Sequence, residues 1–414
     1  MFRSRTILAV LLAATAWAED YSFTCTTDKS AIAYQPGEKM AFSVQFLVDG
    51  KPAAGRKLTW TRRGDDQKNE KGEAVSSDAQ PLLIETSLAQ PGFVHVIVTP
   101  IGDDGKPLKD AKGKEVKFEG GAGVQPEELD GLPEPADFDA FWAKQKAKLA
   151  AVPLKATLVP AESKNKDFEV FDVKVDCAGG KPVSGYLSRP KGAAAKSLGG
   201  QVNFMGYGVS TPWPDYKANT LSFTINAHGI ENGKDQAYYD ELKNGALKGY
   251  AFDKAQNADP ETAYFNGMML RVLRALEYVK SLPEWNGKDL TANGGSQGGL
   301  QALVAAGVDP QVNRCWAWKP WCCDLGGVTL NRLSGWRPAW SDALGYYDPI
   351  NHAKRIRCET VISSGLGDYT CPPSTLAVLY NRLAGKKRID FIQGANHMVN
   401  PPKAPTFSLD AAAK

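Results

Sequence analysis

The six residues Gly294-Gly295-Ser296-Gln297-Gly298-Gly299 constrain this chain more than any other stretch. They lie between a short apolar run, residues 290–294, and a helical pattern that starts near Leu300. A serine at a sharp strand-to-helix turn needs small neighbours, because the backbone there is strained and passes close to itself. The same turn brings backbone N–H groups to a helix start, where negative charge is stabilised. A plain glycine-rich turn is the alternative, and the strand and helix on either side weigh against it. Ser296 is therefore the candidate nucleophile.

A serine hydroxyl needs a base. The chain has four histidines: His95, His228, His352 and His397. In sheets that carry such a turn the chain order is serine, acid, histidine, so His352 and His397 qualify by position. Only His397 follows directly on a predicted final strand, residues 388–392, and it is the expected base. The acid should follow a strand between the two. The run 360–364 ends in Gly365-Leu366-Gly367-Asp368, which puts Asp368 at a strand's carboxyl end, where α/β sheets build sites. Asp324, Asp342 and Asp348 compete, but none follows an apolar strand so directly. Met205-Gly206-Tyr207-Gly208 follows the strand 200–205. Its flanking glycines suit an oxyanion loop, so the N–H groups of Tyr207 and Gln297 are the expected donors. Among nearby aromatics, Trp318 and Trp321 are candidate substrate-binding residues, as is His228. Trp residues beside a sheet are more often core than ligand platform.

Short strands alternate with helices from residue 137 onwards, including helices predicted at 264–282 and 300–306. That pattern implies an α/β fold with a mostly parallel sheet flanked by helices. Residues 19–120 differ. Alternating runs at 21–26, 39–48, 57–62, 82–86 and 92–100, separated by turn clusters, predict a small immunoglobulin-like β-sandwich. Residues 121–136, rich in Gly, Pro and acidic side chains, read as a linker to a catalytic domain over 137–414. Residues 1–18 carry Arg3 and Arg5, an apolar run and Ala16-Trp17-Ala18, the pattern of a signal peptide. Export to the periplasm or the medium is expected, and no other run approaches membrane-spanning length. A net charge of +3 without a basic stripe argues against nucleic acid. The seven cysteines are an odd number, show no C-x-x-C spacing and have no histidine near a cysteine cluster, so structural roles are expected rather than a metal site.

The catalytic half resembles the acetyl xylan esterase and cephalosporin C deacetylase group, a carbohydrate esterase family. The resemblance rests on Asp137-Phe138-Asp139-Ala140-Phe141-Trp142, on Ser184-Gly185-Tyr186-Leu187, on the Gly294 to Gly299 turn, and on Gly367-Asp368 followed by Thr370-Cys371-Pro372-Pro373-Ser374-Thr375. It covers about residues 130 to 400. The resemblance implies an α/β-hydrolase fold and a triad of Ser296, Asp368 and His397. It also implies an oxyanion hole from Tyr207 and Gln297, removal of acetyl groups from oligo- or polysaccharides and small esters, no cofactor or metal, and possible homo-oligomers, often hexamers. The chain departs from the family pattern in two places. Asn226-Ala227-His228-Gly229 stands where Arg-Gly-Gln is usual, and Met398 follows the histidine where Glu is usual. With the added β domain, these mark a divergent branch. Two other readings are compatible with the residues. One is a serine hydrolase of another substrate class, a peptidase or another carboxylic ester hydrolase. The other is a glycan-binding protein that has kept the fold without the chemistry.

Overall fold

The computed structural model describes residues 19–411. The expected signal peptide, residues 1–18, lies outside them. No helix among the described residues is long and apolar enough to cross a membrane.

The first eight strands are β1 (Tyr21–Thr27), β2 (Lys39–Val48), β3 (Lys51–Pro52), β4 (Lys57–Gly64), β5 (Asn69–Val75), β6 (Leu82–Ser87), β7 (Gly92–Ile101) and β8 (Phe118–Val124). They form two antiparallel sheets, one of β1, β2, β3 and β6, the other in the order β5-β4-β7-β8. Alternation explains the packing. Met40, Phe42, Val44 and Phe46 on β2 and Val94, Val96 and Val98 on β7 are buried in the core. Sequence reading missed β5, a polar strand at a sheet edge with no apolar alternation. It also ended this unit at residue 120, whereas β8 continues to Val124 and pairs with β7. The glycines that look like a linker, Gly120, Gly121 and Gly123, lie inside that strand because neighbouring atoms leave no room for side chains. A Cβ on Gly121 would come within 2.4 Å of Val94 O.

The remaining strands are β9 (Ala156–Ala161), β10 (Phe168–Val175), β11 (Val183–Pro190), β12 (Leu198–Phe204), β13 (Thr220–Ile225), β14 (Trp285–Gly295), β15 (Arg314–Trp318), β16 (Glu359–Gly365), β17 (Lys387–Ile392) and β18 (Thr406–Ala411). They make one ten-stranded sheet, in the order β18-β17-β16-β15-β14-β12-β13-β11-β10-β9. Strands β13, β12, β14, β15, β16 and β17 are parallel, and the flanking pairs are antiparallel. This is the α/β-hydrolase architecture that the sequence predicts. The helices are α1 (Phe138–Ala150), α2 (Gln236–Asn244), α3 (Tyr264–Ser281), α4 (Gln297–Val308), α5 (Pro349–His352) and α6 (Pro373–Arg382). Helix α4 is apolar nearly all round, and its residues are buried accordingly. It starts at Gln297, three residues earlier than its apolar pattern suggests, because the glycines of its first turn carry no pattern. The carboxyl ends of β12, β14, β16 and β17 lie on one edge of the sheet, so the loops that follow them meet there.

Candidate active site

Ser296 stands alone between β14 and α4, with φ 55° and ψ −121°. A non-glycine residue in such a conformation costs about 1–3 kcal/mol. The surroundings hold it there. Ser296 N donates to Trp318 O at 2.9 Å, and Ser296 O accepts from Leu300 N at 3.1 Å and Trp321 N at 3.0 Å. Two of the glycines are sterically obligatory. A Cβ on Gly294 would lie 2.4 Å from Gly298 O, and one on Gly298 would lie 2.1 Å from Phe204 O.

Ser296 Oγ lies 3.1 Å from His397 Nε2, and His397 Nδ1 lies 2.9 Å from Asp368 Oδ2. Asp368 is fully buried. Its other oxygen, Oδ1, accepts the backbone N–H of Thr370 at 3.0 Å and of Cys371 at 2.9 Å. The three side chains predicted from chain order are thus brought together from three loops. The competitors lie elsewhere. His352 is buried, with Nε2 at 3.0 Å from Tyr346 O and its ring edge-on to Phe138 and Trp142. Burial holds its pKa down to about 3. Asp324 is paired with Arg332. Asp348 accepts the N–H groups of Asp324, Leu325 and Ile350, and burial, followed by the nearby Asp324 charge, raises its pKa to about 7. Asp342 is exposed at the start of a short 3-10 turn.

The two predicted oxyanion loops are joined by a residue that sequence reading missed. Tyr250 Oη accepts from Gly208 N at 2.9 Å and donates to Gln297 Oε1 at 3.0 Å. On the other side of the same glycine, His228 Nε2 donates to Gly208 O at 2.8 Å, and His228 Nδ1 accepts from the Tyr264 hydroxyl. Burial lowers the pKa of His228 to about 4, which keeps the ring neutral with one donor and one acceptor. The loop carrying Tyr207 is therefore gripped by both polar groups of Gly208. Gln297 is the first residue of α4, so its N–H has no acceptor within the helix. No motif marks Tyr250. It sits in a loop remote in sequence from both groups it joins.

Of the three residues considered for substrate binding, Trp318 alone presents open surface, at 44% exposure. Both ring nitrogens of His228 are taken by protein groups. Trp321 is fully buried, with its indole N–H donating to Trp336 O and its ring stacked on Trp336. Trp336 is the second residue that sequence reading missed. It is 43% exposed and edge-on to Tyr207 at 4.7 Å, while its backbone N–H donates to Thr370 O at 3.1 Å. It therefore spans from the acid loop to the Tyr207 loop.

All seven cysteines are free. Burial raises the pKa of Cys25 to about 12 and of Cys177 to about 11, and holds Cys315, Cys322, Cys323 and Cys371 well above the usual thiol range. Thiols so protonated are poor nucleophiles. Asp368, Cys371 and His397 each bring one potential ligand atom within 4.8 Å of the others. Both Asp368 oxygens already accept hydrogen bonds, Oδ2 from His397 and Oδ1 from the Thr370 and Cys371 N–H groups.

A family model described as acetyl xylan esterase (AXE1) matches residues 130–333 and 340–407. The acetyl esterase Axe7A of Xylanibacter ruminicola is 25% identical over 398 residues, covering 89% of this chain and 85% of that protein. Among solved structures, the acetyl xylan esterase from Paenibacillus sp. R4 is similar, with 29% identity and a TM-score of 0.57 over 67% of this chain and 94% of that one. Acetyl xylan esterase 1 from Thermoanaerobacterium sp. shares the fold, at 22% identity and the same TM-score of 0.57, also over 67% of this chain and 94% of its own.

Proposed function

The chain belongs to the acetyl xylan esterase family, a family of carboxylic ester hydrolases that remove acetyl groups, and from that premise we propose that it is an exported serine esterase acting on O-acetylated carbohydrate through Ser296, His397 and Asp368. The observation that carries the reading is the continuous hydrogen-bonded line from Ser296 Oγ through His397 to Asp368, at 3.1 Å and 2.9 Å. In this mechanism His397 Nε2 takes the serine proton as Ser296 Oγ attacks the acetyl carbonyl carbon. The N–H groups of Tyr207 and Gln297 receive the developing oxyanion. The tetrahedral adduct collapses, His397 returns the proton to the sugar oxygen, and the alcohol leaves an acetyl-serine. Water, deprotonated by the same imidazole, then attacks the acetyl carbon, the Ser296 Oγ–acyl bond breaks as the imidazolium returns the proton to Oγ, and acetate leaves. Asp368 holds the Nδ1 proton in place and stabilises the imidazolium. A sugar substrate is supported by the exposed Trp318 and Trp336, since aromatic faces suit sugar rings. Export is supported by the basic, apolar and small-residue pattern of residues 1–18.

The test is hydrolysis of p-nitrophenyl acetate, butyrate and octanoate by the wild type and by Ser296→Ala. Fast release from acetate, a steep fall with chain length and no turnover in the folded variant are expected. Turnover retained in Ser296→Ala would overturn the nucleophile, and equal rates on all three esters would overturn the small-acyl assignment.

A further inference from the structure

The family match begins at residue 130, so the N-terminal sheets lie outside it. They nevertheless touch the back of the site at both of its late loops. On the acid loop, backbones are in direct contact. A Cβ on Gly367 would lie 2.1 Å from Glu119 O, and one on Gly121 would lie 2.6 Å from Leu366 O. The ring of Tyr369, next to Asp368, stacks on His95 of β7 with centroids 3.8 Å apart and planes 13° apart. On the base loop, the Gln393 side chain pairs with both polar groups of Gly121, at 3.0 Å and 2.9 Å, as a strand neighbour would.

The most specific contact is made by Glu119. Its Oε2 accepts from Asn396 Nδ2 at 2.7 Å, and its Oε1 pairs with Lys117 at 3.0 Å. Asn396 directly precedes His397. Its Oδ1 accepts the N–H groups of Met398 at 3.0 Å and Val399 at 2.9 Å. Its backbone O accepts from Lys319 Nζ. The turn that presents the imidazole is thus organised around one amide side chain, and Glu119 fixes which way that amide faces.

We propose that Glu119 is a positioning residue for His397, acting through Asn396, and that the N-terminal sheets are a structural part of the active site. The proposal rests on His397 being the base. Strand β8 then works as a splint across the acid and base loops. A small displacement of a reacting group costs much rate, up to about a hundredfold for an ångström. An anchor on the neighbouring residue is therefore expected to affect turnover more than the binding of a small ester.

The experiment measures kcat and KM on p-nitrophenyl acetate for the full-length wild type, Glu119→Ala, Glu119→Gln, Asn396→Ala and the double variant Glu119→Ala/Asn396→Ala, with thermal melting as the check on folding. Glu119→Ala is expected to lower kcat about tenfold with KM held within about twofold. Glu119→Gln still offers an oxygen to Asn396 and should stay within about threefold of wild type. The double variant should be no slower than Asn396→Ala alone, because the two residues act along one path. A Glu119→Ala kcat within about twofold of wild type would overturn the proposal, as would a Gln variant as slow as the Ala variant or fully additive losses. Should Glu119→Ala not fold, Glu119→Asp, one methylene shorter, takes its place with the same expectation. If wild-type turnover does not depend on Ser296, the proposed mechanism fails first. If it does and Glu119 is silent, the splint alone fails.

Discussion

Replacing Asp368 by asparagine tests the proposed chemistry most sharply, because the structure dictates how the new side chain must sit. Oδ1 of Asp368 accepts two backbone N–H groups, those of Thr370 and Cys371, and Oδ2 faces His397 Nδ1. An asparagine amide must turn its oxygen towards the two donors, since an NH2 there would face N–H groups. The NH2 then points at His397 Nδ1 and needs an acceptor. The ring answers by keeping its proton on Nε2, the nitrogen 3.1 Å from Ser296 Oγ. A protonated Nε2 cannot take the serine proton. In the serine triad this wrong tautomer costs about 10⁴ in kcat. That corresponds to about 5 kcal/mol of transition-state stabilisation, at roughly 1.4 kcal/mol per decade. Initial rates on p-nitrophenyl acetate, with protein folding checked by near-ultraviolet circular dichroism, should give a loss of about 10³ to 10⁴ in kcat. A folded Asp368→Asn enzyme that loses less than about thirtyfold would refute the argument that Asp368 sets the tautomer.

Two further outcomes follow from side chains outside the triad. Burial, followed by the Arg63 and Lys117 charges, lowers the pKa of His95 to about 3. The unfolded chain takes up that proton near pH 6.5, so between these values the unfolded state binds more protons and stability rises with pH, by about 1.4 kcal/mol per unit. Buried His228 and His352 act with the same sign, and Asp65 and Asp348, raised to about 6 and about 7, act against them. Comparing His95→Phe with wild type isolates one group. Urea unfolding should show the gap between pH 7.5 and pH 5 shrinking by about 2 kcal/mol in the variant, and an unchanged gap would contradict the assignment. Trp336→Ala removes the ring that lies between the acid loop and Tyr207. The ratio of butyrate to acetate kcat/KM should rise about tenfold, and an unchanged ratio would show that this ring does not bound the acyl group.

The candidate nucleophile turn was legible because its steric demands leave few residue types possible: a Cβ on Gly294 would meet Gly298 O within the turn itself. His397 was legible because only four histidines exist, chain order excludes two and of the other two only His397 directly follows a predicted strand, and Asp368 because it lies in the loop directly after an apolar strand. What was not legible depends on contacts between distant segments. Tyr250 joins Gly208 to Gln297 from a loop without pattern. Strand β8 is rich in glycine because Leu366, Gln393 and Val94 crowd it, a reason visible only once those neighbours are in place. His228 and Trp321 looked available as single residues. Their neighbours, Tyr264 and Gly208 for one and Trp336 for the other, take up their polar atoms.

The hydrogen bond between Glu119 and Asn396 joins residues 277 positions apart. The chain between them includes β9 to β17, so the contact closes across nearly the whole ten-stranded sheet. Closing so long a loop is a late and entropically expensive event. In the proposed mechanism, His397 is then held in place only once this loop has closed. Under the proposed splint, turnover reports on the docking of the N-terminal sheets as well as on the site itself.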